Sequence, residues 1–410
     1  MIPAADRQVL RDLAKRVTEI AALPVMAERK RLWRRHNSLK PCRPMILVFP
    51  EGSWRELLPD SALCCEDQAA RRIEWDLRHR IYTHEHFQSD NVIEKEWTVG
   101  KAIRNSGWGP EAQWTHSPSA TGARAFKPVI LERRDLKQLQ FPAVVHDEKA
   151  TRENLSGAQE LFGGILDVKL KGVAHISFHL MSLYTSLRGL EQVMLDMVEE
   201  PEWLHEAMAF LEEGHHRLVR QYVEQNLFSL NNDNTYHSSG GNGYTEELPA
   251  PGFDPDRVRP RDMWASAEAQ ELAQVSPAMH REFSLEYEKR LLAPFALNGY
   301  GCCEDLTAKL DDVLTIPRLR RVSCSPWAHV ARCAEKLGPK CIFSWKPHPS
   351  HLVGEFSPEK IRGYIQHAVD AARRHGCVLE MILKDTHTCE QRPERFDEWT
   401  RVARRIVEPG

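Results

Sequence analysis

From residue 319 onwards the chain repeats one pattern three times: a short strand-like run, a polar turn and an amphipathic stretch. The runs cover 319–323, 341–346 and 378–383, the last two mainly apolar, and the amphipathic stretches end near 337, 375 and 407. Short apolar runs bounded by turns read as strands buried on both faces, and their alternation with helices marks a parallel sheet. Each parallel strand needs a crossover before the next, so this period fixes the fold class more tightly than any other feature. Followed backwards, it gives eight strand candidates, near 45, 92, 173, 228, 296, 321, 342 and 380. The expectation is an α/β chain with a (β/α)8 TIM-type barrel over 41–410. An N-terminal helical extension over 1–40 precedes it, because Val9, Leu10, Leu13, Val17 and Ile20 recur at helical spacing. Residues 261–292 read as helix, and the segments around 107–109 and 122–131 as loop and hairpin. The sequence carries neither G-x-G-x-x-G nor G-x-x-x-x-G-K-[ST], which disfavours a doubly wound nucleotide-binding sheet.

Composition excludes some functions. The formal net charge of −3 argues against a general nucleic-acid surface. No apolar run approaches the roughly 20 residues of a membrane span. The first residues have no signal-peptide core, and the 10 cysteines are scattered rather than set out as a disulfide framework. A cytoplasmic protein with free, buried or metal-bound thiols is expected. There is no C-x-x-C pair, so a zinc ribbon is not.

In a barrel the strand ends share one mouth, so chemistry should gather there. The richest junction is Asn298-Gly-Tyr-Gly-Cys-Cys-Glu304, where a strand becomes a helix. Thiolates are nucleophiles and soft-metal ligands, and an adjacent carboxylate can complete a zinc shell. The other strand ends bring His179, the loop Asn231 to His237, Trp327, Trp345 with Lys346, and Lys384-Asp385 with His387. Asn231, His237, Tyr300, Trp327, Trp345 and His179 are expected to bind substrate. The lysines Lys346 and Lys384 would hold an anion, with Asp385 and His387 as acid and base. The bland alternatives are buried packing cysteines, satisfied core histidines, and Lys384–Asp385 as a rim ion pair.

Six stretches together resemble the uroporphyrinogen decarboxylase-like superfamily, in an uncharacterised subgroup near the corrinoid-dependent methyltransferases. They are Arg43-Pro-Met-Ile-Leu-Val-Phe-Pro-Glu-Gly-Ser-Trp54, Ser239-Gly-Gly-Asn-Gly-Tyr-Thr-Glu-Glu-Leu-Pro249, Tyr300-Gly-Cys-Cys-Glu304, Val322-Ser-Cys-Ser-Pro-Trp327, Phe343-Ser-Trp-Lys-Pro347 and Leu383-Lys-Asp-Thr-His-Thr388. The resemblance implies a distorted barrel with its site at the carboxyl mouth. Its methyltransferase branch implies zinc, held by a His-x-Cys pair and a distal Cys. Tyr300 stands where that His would be, Cys302 matches the first Cys, and Cys389 or His387 the distal ligand. The implied ligands are therefore Cys302 or Cys303, Glu304 and His387. The implied reaction moves a methyl group from a small methylated substrate to a corrinoid on a partner protein. The superfamily also implies a homodimer. The decarboxylase branch departs further, because Phe49 to Trp54 holds no arginine for a tetrapyrrole's carboxylates and places Glu51 there. The competing readings are a metal-independent decarboxylase or lyase acting on a small carboxylate, and a non-catalytic binding protein.

Overall fold

The computed structural model describes residues 2–116 and 124–408. Seven parallel strands form the central sheet: β1 (Met45–Val48), β2 (Ser177–Phe178), β3 (Trp264–Ala267), β4 (Leu297–Tyr300), β5 (Leu319–Cys324), β6 (Ile342–Trp345) and β7 (Val378–Leu383). Their order is β1-β7-β6-β5-β4-β3-β2. The fold is thus mixed α/β on a parallel sheet. Among the described residues its hydrogen bonds leave β1 and β2 as edges rather than closing a ring.

Three strand expectations change. The segment near 92 is not in the sheet; Glu96–Gly100 pairs instead with Asp167–Lys171 outside it. The segment near 228 makes one parallel bridge, Val173 to Phe228. Residues 261–292 are not one helix, because Trp264–Ala267 is β3 and helix begins at Pro277. Trp-Ala-Ser-Ala is small and buried on both faces, so it shows no period of two. The hairpin expected around 107–109 and 122–131 pairs Gln113–His116 with Arg124–Lys127, and 117–123 lie outside the described residues.

The helices start where their caps dictate. Asp67 accepts from the Ala70 N–H at the head of Gln68–His86, and Ser357 caps Pro358–Arg374, whose first residue is a proline. Ala4–Ala21 packs its Leu10, Ala14 and Val17 face with Leu77 and Phe162 in a second apolar cluster, apart from the main core. No described helix is long and apolar enough to cross a membrane.

The inner face of the sheet is polar and filled. Arg321 and Glu380, both 0% exposed, form a salt bridge with Nε to Oε1 at 2.9 Å. The same guanidinium donates to Asn37 Oδ1 and to His237 Nδ1, each at 2.8 Å. The segment 231–244 folds down onto this pair. A Cβ on its Gly241 would fall inside the Arg321 guanidinium, so only glycine fits.

Candidate active site

Above that filled interior, the ends of β2, β3 and β4 leave a pocket of about 130 Å³. His179, Tyr236, Ser239, Glu268 and Cys302 face it. Each strand contributes through its alternation. On β4, Gly299 packs on Ser238 on the inner side and Tyr300 turns outward; Gly301, at φ +95°, then turns the chain so that Cys302 returns to the inner side. Through His175 and Tyr236 the pocket opens into a cleft of about 650 Å³, which both residues also line.

Cys302 is half-buried. Ser239 Oγ donates to its sulfur at 3.5 Å, and the Cys303 thiol lies 3.5 Å away. Donation from Cys303, then from Ser239, with the Lys384 charge nearby, pulls the Cys302 thiol down to about 6 against its burial. Cys303, exposed and donating, is pushed up. His179 Nδ1 is bonded to Glu268 Oε1. Burial works against the charged imidazole, but Glu268 outweighs it and His179 is raised. Lys384 is buried, 3.6 Å from both Glu51 Oε1 and Asp385 Oδ1, and faces the Tyr236 hydroxyl. Burial opposes its charge, while Tyr236, Asp385, Glu51 and Cys302 raise it overall.

Other expected site residues lie elsewhere. His237 is a core residue: it accepts from Arg321 and donates from Nε2 to the Ala265 carbonyl at 3.1 Å. Burial and Arg321 hold it well below the imidazole range, so it is neutral. Asn231 is a backbone staple, donating to the Ala174 and Trp264 carbonyls and accepting the Trp264 N–H. Tyr300 is fully buried on the outer face; its hydroxyl donates to Glu288 at 2.8 Å with His280 at 2.9 Å. Trp345 is also outward, packed on Tyr364 with centroids 5.0 Å apart. Trp327 is 68% exposed, edge-on to His348. Lys346 is buried with Nζ 2.7 Å from Ser344 Oγ, and burial lowers it to about 8. Asp385 sits at the rim at φ +58°, donating its N–H to Glu51 at 2.7 Å.

The expected zinc shell is not assembled. Glu304 turns back on its own loop, where Oε2 accepts the Cys302 N–H at 2.8 Å, and burial followed by Glu268 raises it to about 7. His387 is exposed beside Gly52, its carbonyl accepting from Arg55 at 2.9 Å. Cys389 donates to Glu56 at 3.1 Å. Among the described residues no three His, Cys, Asp or Glu side chains are grouped as a metal site. The donors that share a pocket with Cys302 are His175, His179 and Glu268; the last two are already bonded to each other, and His175 Nδ1 meets the Tyr236 carbonyl at 3.0 Å. The residues present do not fit a preset zinc centre.

Glu268, Tyr236, Ser239 and Glu51 are the site residues that sequence reasoning missed. Glu268 follows β3, so recognising that strand was the one signal that would have found it.

No family model matches this chain, and no curated protein matches it. Among solved structures, 23 chains match. One is a methyltransferase from Methanosarcina mazei, 10% identical, with a TM-score of 0.50 over 93% of this chain and 99% of that one. The likeness shows a shared fold along nearly the whole of both chains.

Proposed function

We propose that this chain is a methyl-transfer enzyme whose own nucleophile is Cys302. The observation that carries the reading is the Cys302 thiol, held as thiolate by Cys303, Ser239 and Lys384 at the floor of a strand-end pocket. The fold shared with a methyltransferase agrees with it. The order β1-β7-β6-β5-β4-β3-β2, which sets the first strand beside the last, supports a barrel-derived sheet one strand short of eight and open between β1 and β2, and we read the superfamily resemblance in that light.

In the first half-reaction the thiolate attacks the methyl carbon of a bound donor, the bond to the leaving atom breaks, and Cys302 becomes a thioether. Tyr236 and His179 flank the donor, and Glu268 fixes the His179 ring. The second half needs a strongly nucleophilic acceptor, and the corrinoid-protein partner is the acceptor we propose. The metal-independent lyase is less well supported: a substrate carboxylate needs a free cation, yet Lys384 is engaged by Glu51 and Asp385, and Lys346 lies buried on Ser344.

The test is a single turnover. Purified protein is incubated with a panel of small methylated compounds and digested, and Cys302 is examined by mass spectrometry. A gain of one methylene on Cys302 is expected, absent in Cys302→Ser. Turnover that survives Cys302→Ser would overturn the reading.

A further inference from the structure

We infer that the methyl donor is an onium ion, a quaternary ammonium or tertiary sulfonium compound, whose cationic head sits against Phe49, Glu51 and Tyr236 where the large cleft meets the Cys302 pocket. The inference rests on the methyl-transfer reading and names its donor.

Size comes first. The pocket of about 130 Å³ admits a methyl-bearing head group and little more, whereas the adjoining cleft of about 650 Å³ takes a much larger body. Because His175 and Tyr236 line both, one molecule can occupy the cleft and present its head to Cys302.

Charge comes second. The cleft is lined by Glu51, Asp76, Glu94, Glu96 and Asp233 against only Arg80 and Lys171. Both cations are engaged inside it: Arg80 with Asp76 at 2.8 Å, Lys171 with Asp233 at 2.5 Å. Glu94 and Glu96 instead draw on Lys30 and Lys169, which lie outside the lining and are partly exposed. Among the described residues an anionic ligand therefore finds no free cation in the cleft. A cationic one finds carboxylates whose present partners are screened by water. At the junction itself Lys384 and His179 face Glu51, Asp385, Glu268 and the Cys302 thiolate, so the anions outnumber the cations.

Aromatic rings come third. Phe49 and Tyr236 meet edge to face, with centroids 5.7 Å apart and planes at 70°, and Trp54 lines the same cleft. Ring faces attract cations that have shed water, most strongly where no hydrogen bond can compete, as with a methylated onium head.

The chemistry of the thiolate agrees. As Cys302 sulfur bonds to the methyl carbon, the C–N or C–S bond breaks and its electron pair stays on nitrogen or sulfur. The leaving group departs as a neutral amine or sulfide, and no proton is needed. A methyl ether would expel an alkoxide and need an acid. The His179 Nδ1 position is taken up by Glu268, so such an acid would have to act from Nε2.

The experiment presents purified full-length protein with trimethylsulfonium, phenyltrimethylammonium and, as the neutral rival, methoxybenzene. The methylene gain on Cys302 is followed by peptide mass. Expected is methylation by an onium donor, with the rate relative to alkylation by iodoacetamide falling about tenfold in Glu51→Gln and in Tyr236→Leu. Cys302→Ser, which cannot react, is expected to melt higher in the presence of tetramethylammonium chloride than in sodium chloride of equal strength. Methylation by methoxybenzene alone, or no difference between the two salts, overturns the onium assignment and leaves methyl transfer standing. Tetramethylammonium binding without methylation by any donor overturns methyl transfer, and with it the donor role, while leaving a cation-binding cleft.

Discussion

His237 and His179 both lie on the inner side of the sheet, yet only one is available for chemistry. Both nitrogens of His237 are bonded, one to Arg321 and one to a backbone carbonyl, and the ring is 3% exposed. His179 has one partner, Glu268, and its side chain is 46% exposed. The same contrast separates Lys346, closed in on Ser344, from Lys384, which reaches the rim between Glu51 and Asp385. It also separates Arg321–Glu380, sealed and paired, from Cys302, which shares a contact with Cys303 and opens to a pocket. These interior groups have their partners within the protein, whereas those of the mouth keep positions open. For the histidine and lysine pairs residue type is the same in both places, and the number of unfilled hydrogen-bonding positions is what differs.

The sharpest way to test this contrast is to remove one group from each side. Cys302→Ser should lower single-turnover methylation by about 1,000-fold or more, worth ~4 kcal/mol of barrier, because a hydroxyl of ordinary acidity replaces a thiolate. At pH 6 or below its urea midpoint should stay close to that of wild type. Arg321→Ala should do the opposite kind of damage, leaving Glu380 buried without its partner. The expected cost is about 3–5 kcal/mol in urea unfolding, since a lone buried carboxylate is far worse than a paired one. A stable Arg321→Ala protein would break the comparison, because the interior would then not depend on its pairing.

A gentler test titrates the mouth. Alkylation of Cys302 by iodoacetamide should be half-maximal near pH 6 and flat above it, since the thiolate is the reacting form. Cys303→Ala removes the strongest hydrogen bond to that thiolate and should move the curve to higher pH, and Lys384→Met should move it less far in the same direction. The linked stability has a definite sign. A thiol depressed in the folded state stabilises it above the unfolded value and loses that contribution as pH falls through about 6. Wild type should therefore gain stability relative to Cys302→Ser as pH rises from about 6 to about 8.5. The smallest effect is reserved for a residue the geometry sets aside. His387→Ala should change methylation and metal content by less than about twofold, because the ring is exposed beside Gly52 and does not line the pocket.

Much of the sheet was legible because β1, β6 and β7 are dense in large apolar residues that need burial on both faces, and β5 falls in the same strand–helix period. β3 was not, since Ala265, Ser266 and Ala267 carry too little side chain to reveal a strand. That one omission hid Glu268 and thereby the partner of His179. Cys302 was legible from its glycine turn and strand-end position. Tyr300 and Trp345 were misplaced for a different reason: alternation was visible in the sequence, but its phase was not. Once Arg321, Ser344 and Glu380 are seen to share the inner face, Trp345 must face outward, and Gly299 packing on Ser238 inside sends Tyr300 outward in the same way. The loop 231–244 misled most, because polar loops after strands commonly bind ligands, whereas this one binds the protein's own interior.

That infolded loop has a consequence for the order of events. With Gly241 seated on Arg321 and Gly240 against Ile382 and Lys384, the cavity at Cys302 has a floor. On the methyl-transfer reading, a donor that fills a pocket of about 130 Å³ must withdraw before an acceptor can reach the same sulfur. Such an enzyme would take its two substrates by turns, and initial-rate plots against one at several fixed levels of the other would run parallel rather than cross.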